Sequence, residues 1–118
     1  MRYRRILALL VVASPLLLVA SCFHANLPPI AHFTPIPKSG LSPLTVTFDA
    51  SDSHDPDGSI VAYVWDYGDG THGTGVTSTH TYTASSNQTF TVTLVVTDNG
   101  GEMGSATATV TVIIPASD

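Results

Sequence analysis

VWDYGDGTHG, Val64–Gly73, decides how the rest of the chain reads. The tryptophan lies in an alternating run in which Val61, Tyr63, Trp65 and Tyr67 share one side of an extended backbone. Two aspartates, Asp66 and Asp69, then bracket Gly68, and Gly70 follows. Carboxylates in this setting can form an acid/base pair, a metal loop or a tight turn. The glycines supply dihedrals that other residues resist, and aspartate side chains bond nearby backbone amides. A glycosidase pair would need a cleft and a raised pKa on one acid, which nothing around this stretch supplies. The stretch therefore predicts a strand that buries Trp65 and ends in a turn.

Period-two alternation continues on both sides. Leu44, Val46 and Phe48 alternate with Thr45 and Thr47. Phe90, Val92, Leu94 and Val96 alternate with threonines and Val95, and Ala106, Ala108, Val110 and Val112 alternate with Ser105 and more threonines. Strands buried on one face produce this pattern. Glycine, proline, serine and asparagine clusters separate the runs. Several short strands with frequent turns predict an all-β, two-sheet sandwich.

The combination of SPLTVTFDASDSHDPDGSIVAYVWDYGDG, HTY and FTVTLVVTDNGG resembles the polycystic kidney disease (PKD) domain. The resemblance spans Ile30–Ile114 and implies an immunoglobulin-like sandwich. One departure is visible. Gln88 stands where the family usually has glycine, in a loop about two residues longer than usual, where Asn87 can take the left-handed conformation.

The amino terminus reads differently. Arg2, Arg4 and Arg5 precede an apolar run, residues 6–20, broken by Ser14-Pro15. This describes a secretory signal, too short and interrupted for a transmembrane helix. VASC, Val19–Cys22, resembles the bacterial lipobox, and Cys22 is the only cysteine. The resemblance implies cleavage before Cys22, acylation there and stable anchoring by two or more chains. The expected organisation is a signal peptide over 1–21, the acylated cysteine and a tether over 22–29, and the sandwich over 30–114. Seven tether residues, Phe23–Pro29, would reach about 25 Å.

Loss of residues 1–21 leaves Lys38 as the one lysine or arginine against all nine acids, a net charge of −8. Such a domain repels nucleic acid. The acids concentrate in SDSHDPDGS, Ser51–Ser59. An EF-hand with Gly58 at position six would need glutamate at position twelve, where Val64 stands. A looser calcium site from Asp55, Asp57 and Asp66 is the one cofactor expectation, since the resemblance implies calcium near these loops. Histidines 24, 32, 54, 72 and 80 offer no pair at helical metal-ligand spacing, and the HTY resemblance makes His80 structural. No serine sits in a nucleophile elbow.

The chain runs four residues past Ile114, so the expectation is a lone, non-catalytic, monomeric module. Its expected location is the bacterial cell envelope, outside the cytoplasm and lipid-anchored. Protein interaction or display is the first functional reading. Carbohydrate binding is the second, but it wants exposed aromatic rings, and Phe33, Phe48, Tyr63, Trp65, Tyr82 and Phe90 all read as core. Alternation turns Ile60, Ala62 and Val64 to solvent. With Val95 and the threonines they predict an uncharged face for a partner, centred on Ile60, Val64 and Val95.

Overall fold

The computed structural model describes residues 25–116; the signal segment, Cys22 and His24 lie outside the described residues. Eight strands and no helix make up this part: β1 (Thr34–Ile36), β2 (Ser39–Leu41), β3 (Leu44–Asp49), β4 (Ile60–Asp66), β5 (His72–Thr74), β6 (Thr77–Tyr82), β7 (Gln88–Asp98) and β8 (Met103–Ile113). They form a three-stranded sheet, β1-β3-β6, and a five-stranded sheet, β2-β8-β7-β4-β5. All pairings are antiparallel except β2 with β8. The fold is the expected two-sheet sandwich.

The inward positions of β3, β7 and β8 are those that alternation marks. Val46, Phe48, Val92, Leu94, Val96, Val110 and Val112 are fully buried. Trp65 is buried at their centre. Phe33 meets its ring edge-on at 5.1 Å, and Phe48 lies 5.5 Å away. The indole Nε1 donates to the Gly75 carbonyl at 2.8 Å, so the one polar atom of the side chain is satisfied. Tyr82, also fully buried, donates its hydroxyl to the Tyr67 carbonyl at 2.8 Å. Burial pushes the Tyr82 hydroxyl well above its ordinary pKa.

Alternation fails at the start of β4. The register runs Ile60↔Asp98 and then Ala62↔Thr97, so Val61 is the extra residue of a β-bulge. The bulge reverses the two side chains before it. Val61, expected inside, is 63% exposed. Ile60, expected outside, packs against the core. The 83–87 loop also differs from expectation. Among the described residues only glycines take positive φ. Asn87 instead accepts a hydrogen bond from the Ile114 amide at 2.7 Å, tying the loop to the end of β8.

The turn after Trp65 is built as the sequence predicts. Asp66 Oδ1 accepts the Gly68 amide at 2.9 Å, and Asp69 Oδ1 accepts the Thr71 amide at 3.1 Å. Gly68 has φ +85° and lies so close to the Thr91 carbonyl that a Cβ would collide with it. Asp69 Oδ2 also lies 2.7 Å from His80 Nε2. The His80 ring stacks flat on Tyr67 at 4.1 Å and meets Tyr82 edge-on at 4.7 Å. The two aspartates are thus turn-builders, and Asp69 joins the turn to β6. Burial alone would raise the Asp69 carboxyl, but hydrogen bonds from Thr71 and His80 outweigh it and hold its pKa below the ordinary value.

Two predictions follow from this packing. Truncating a buried aromatic costs about 3–5 kcal/mol, against a total of about 5–15 kcal/mol for a typical domain. Trp65→Ala should therefore unfold the domain or leave it barely folded at 25 °C, as read by thermal denaturation; an unchanged melting temperature contradicts the packing described. For Asp69 the sign is set by its depressed folded pKa. Its contribution is present above the unfolded value of about 4 and lost as pH falls through the folded value. Asp69→Asn should lower the melting temperature at pH 7 and reduce its further fall between pH 4 and pH 2. An acid limb as steep as wild type would assign that loss to other carboxylates.

Candidate functional site

Two regions carry chemistry beyond the core: an acidic pole and the outer face of the five-stranded sheet. The acidic pole forms where the 51–59 loop meets the β7–β8 turn. Pairing of Ile60 with Asp98 brings these segments together. Asp55, Asp57 and Asp98 each present a carboxylate oxygen there, all within 4.8 Å of one another.

The three acids are not equivalent. Asp98 is only 1% exposed and saturated with donors. Its Oδ1 accepts the Gly100 and Glu102 amides at 2.9 Å, and its Oδ2 accepts Asn26 Nδ2 at 2.9 Å. Burial works against its charged form, but these donors outweigh that and lower its pKa. Asp57 Oδ2 accepts the Leu27 amide at 2.9 Å. Both Asp55 carboxylate oxygens are shielded from solvent and have no hydrogen-bond partner. Desolvation, then the charges of Asp57 and Asp98, raise the Asp55 pKa. A shielded carboxylate without donors is costly, and a hard cation is the partner this donor set fits. Gly58 backs the site so closely that a Cβ there would lie 2.8 Å from Asp55 Oδ2. Asp55, Asp57 and Asp98, with the Asn26 side chain beside them, are the residues that could hold calcium.

This corrects the expected ligand set. Asp66 stands at the far end of β4, paired with Thr93, whereas Asp98 pairs with Ile60 at the near end. The six steps from Ile60 to Asp66 span about 20 Å. Asp66 instead serves the turn and lies 3.9 Å from His72. Asp98 and Asn26 escaped the sequence reading. Asp98 looks like the polar end of a strand, and Asn26 falls in what reads as tether. Alternation up to Val96 points Asp98 inward, the one available signal that it is no ordinary turn residue.

The outer sheet face is the second region. Register places Thr89 opposite Thr111, Thr91 opposite Thr109 and Thr93 opposite Thr107. Val64 lies opposite Val95 and is 44% exposed, while Val95 is half-buried. Of the three expected face residues, Val64 and Val95 are adjacent, and Ile60 belongs to the core side. The face also carries charge at one corner, because Asp66 sits exposed beside Thr93.

The model of the PKD domain family matches residues 26–114. A microbial collagenase of Vibrio alginolyticus is 44% identical over 72 residues, 61% of this chain and 8% of the collagenase. The pre-pro-metalloprotease PrtV of Vibrio cholerae is 36% identical over 90 residues, 76% of this chain and 9% of its own length. The chain thus spans under a tenth of these relatives. Among solved structures, the PKD1 domain of PrtV superposes with a TM-score of 0.62 at 33% identity, covering 74% of this chain and 99% of that domain. A structure described for the promiscuous specificity of carbohydrate-binding modules of the β-sandwich superfamily gives 0.69 at 44% identity, covering 80% of this chain and 38% of that one. Family match and superposition agree: this chain belongs to the PKD domain family.

Proposed function

We propose that this chain is a binding module of the bacterial cell envelope, held at the membrane by acyl chains on Cys22, and that it engages a protein partner through the outer face of its five-stranded sheet. One observation carries the reading: Val64 and Val95 sit side by side amid paired threonines, whereas most acids lie in loops or at strand ends. An apolar patch bordered mainly by hydroxyls, with Asp66 at one corner, is suited to docking. The collagenase and metalloprotease relatives support a protein partner. The carbohydrate-binding neighbour supports a polysaccharide as the second reading. Against that stands the placement of the rings. Phe33, Phe48, Trp65, Tyr67 and Tyr82 are buried, and Tyr63 and Phe90 pack against the core, so among the described residues no phenylalanine, tyrosine or tryptophan ring lies on the outer face to stack on a sugar.

Calcium at Asp55, Asp57 and Asp98 belongs to the same proposal as a stabilising ion. It would relieve the Asp55 carboxylate and join the 51–59 loop to β7, leaving the binding face undisturbed.

Exposed substitutions away from special features shift stability by about 0.5 kcal/mol or less. Val64→Lys should therefore leave the melting temperature nearly unchanged, and Val95→Lys, at a half-buried position, should lower it without unfolding the domain, while both abolish capture of envelope proteins by the acylated chain. Undiminished capture by both variants excludes this face. Glycans that bind and shift the emission of the chain's one tryptophan, Trp65, would favour the second reading. For the ion, millimolar calcium should raise the wild-type melting temperature by binding the folded state preferentially. Asp55→Asn should match or exceed wild type without calcium, because the raised Asp55 pKa marks a carboxylate that destabilises the fold when charged, and should lose the calcium increment. A wild-type melting temperature indifferent to calcium removes the ion from the proposal.

A further inference from the structure

The segment that reads as a tether is laid down on the domain from Asn26 onward. Asn26 is held by Asp98 and the Leu27 amide by Asp57. The Pro29 carbonyl lies against Gly104, where a Cβ would collide with it. Ile30 and His54 exchange backbone hydrogen bonds at 2.7 and 3.0 Å. The Ser53 hydroxyl accepts from the His32 amide and donates to the His32 carbonyl, both at 2.9 Å. Only Phe23, His24 and Ala25 separate Cys22 from this anchored segment. Four extended steps from Cys22 to Asn26 span about 14 Å, so an acyl-bearing Cys22 holds this pole against the bilayer surface.

The same pole displays large apolar side chains. Leu27 is 50% exposed, Ile30 51%, and Val61 and Met103 63% each. Val61 is the residue that the β-bulge turns outward, and Met103 flanks the same position of β7, paired with Thr97 as Ala62 is on the other side. Exposed acids, Asp52, Asp57 and Glu102, share the pole. They disfavour contact with anionic head groups.

We propose that the pole formed by residues 26–30, 51–61 and 98–103 docks on the lipid surface, with Leu27, Ile30, Val61 and Met103 entering the boundary between head groups and acyl chains. The domain then stands in a fixed orientation, with the 67–71 turn and the 83–87 loop facing away from the membrane. The inference rests on acylation of Cys22.

Acylation blocks the Cys22 thiol, so Val61→Cys or Met103→Cys gives a single free thiol for an environment-sensitive fluorophore. Ser86→Cys at the opposite pole is the control. The test uses acylated full-length protein in phosphatidylcholine vesicles, with acylation verified by mass spectrometry of the amino-terminal peptide. The labels at positions 61 and 103 should shift to the blue and be quenched by brominated acyl chains, while the label at 86 does neither. Adding phosphatidylglycerol at low salt should weaken the shift. Verified acylation with silent labels at 61 and 103, or with all three labels alike, overturns the docking alone. A shift that appears only with phosphatidylglycerol overturns apolar contact as its cause. Absence of the acyl group from membrane-derived protein overturns the anchor and the docking together.

Discussion

Everything in this sandwich depends on the burial of one indole. Trp65 is the largest side chain in the core, and it needs apolar neighbours from both sheets together with one acceptor for its N–H. Phe48 from β3 and Phe33 from the segment before β1 supply the first need, and the Gly75 carbonyl supplies the second. That acceptor lies between β5, on the edge of one sheet, and β6, on the edge of the other. The requirement of the indole therefore fixes where the chain crosses between sheets. The described residues contain no cysteine, so no covalent link shares this task.

Charge is arranged around that core rather than in it. The exception is Asp98, which is buried but surrounded by donors from Asn26, Gly100 and Glu102. Its carboxylate orders the β7–β8 turn and captures the incoming chain. Asp57 completes the capture. Asp55 is the unbalanced member, shielded and without donors. The opposite pole has its own carboxylate device, in which Asp69 bonds Thr71 and His80 and holds the 67–71 turn over the stacked Tyr67 ring. Each end of the sandwich is thus closed by an aspartate that bonds across elements.

This arrangement separates the charged poles from the sheet face. The loops at the poles carry most of the acids and glycines of positive φ, while the outer face of the five-stranded sheet carries mainly threonine, serine and valine, with Asp66 at one corner. In PrtV and the Vibrio collagenase, the matching segment is under a tenth of a much longer protein. A compact module that folds by its own core and leaves one sheet face free suits use in many protein contexts, which agrees with the family's occurrence beside different larger partners.

Much of the fold was legible from residues alone. Leu44, Val46 and Phe48, and the alternating runs of β7 and β8, declare their buried faces because each strand has one wet side and one dry side. The role of WDYGDG as a turn followed from glycine dihedrals and aspartate side chains acting over two or three residues. Only the tertiary structure decided the rest. The bulge at Val61 depends on how β4 registers against β7, and it exchanges the environments of Ile60 and Val61 without altering the local pattern. The acidic site takes Asp98 rather than Asp66, since cross-strand pairing brings Asp98 to the 51–59 loop while six residues of β4 carry Asp66 away. Asn26 and Leu27 read as tether because their partners lie 72 and 30 residues away along the chain. Short-range dihedral and alternation rules act within a strand and are written in the sequence. The neighbours that a residue gains across strands are set by register and sheet packing, which no single segment encodes.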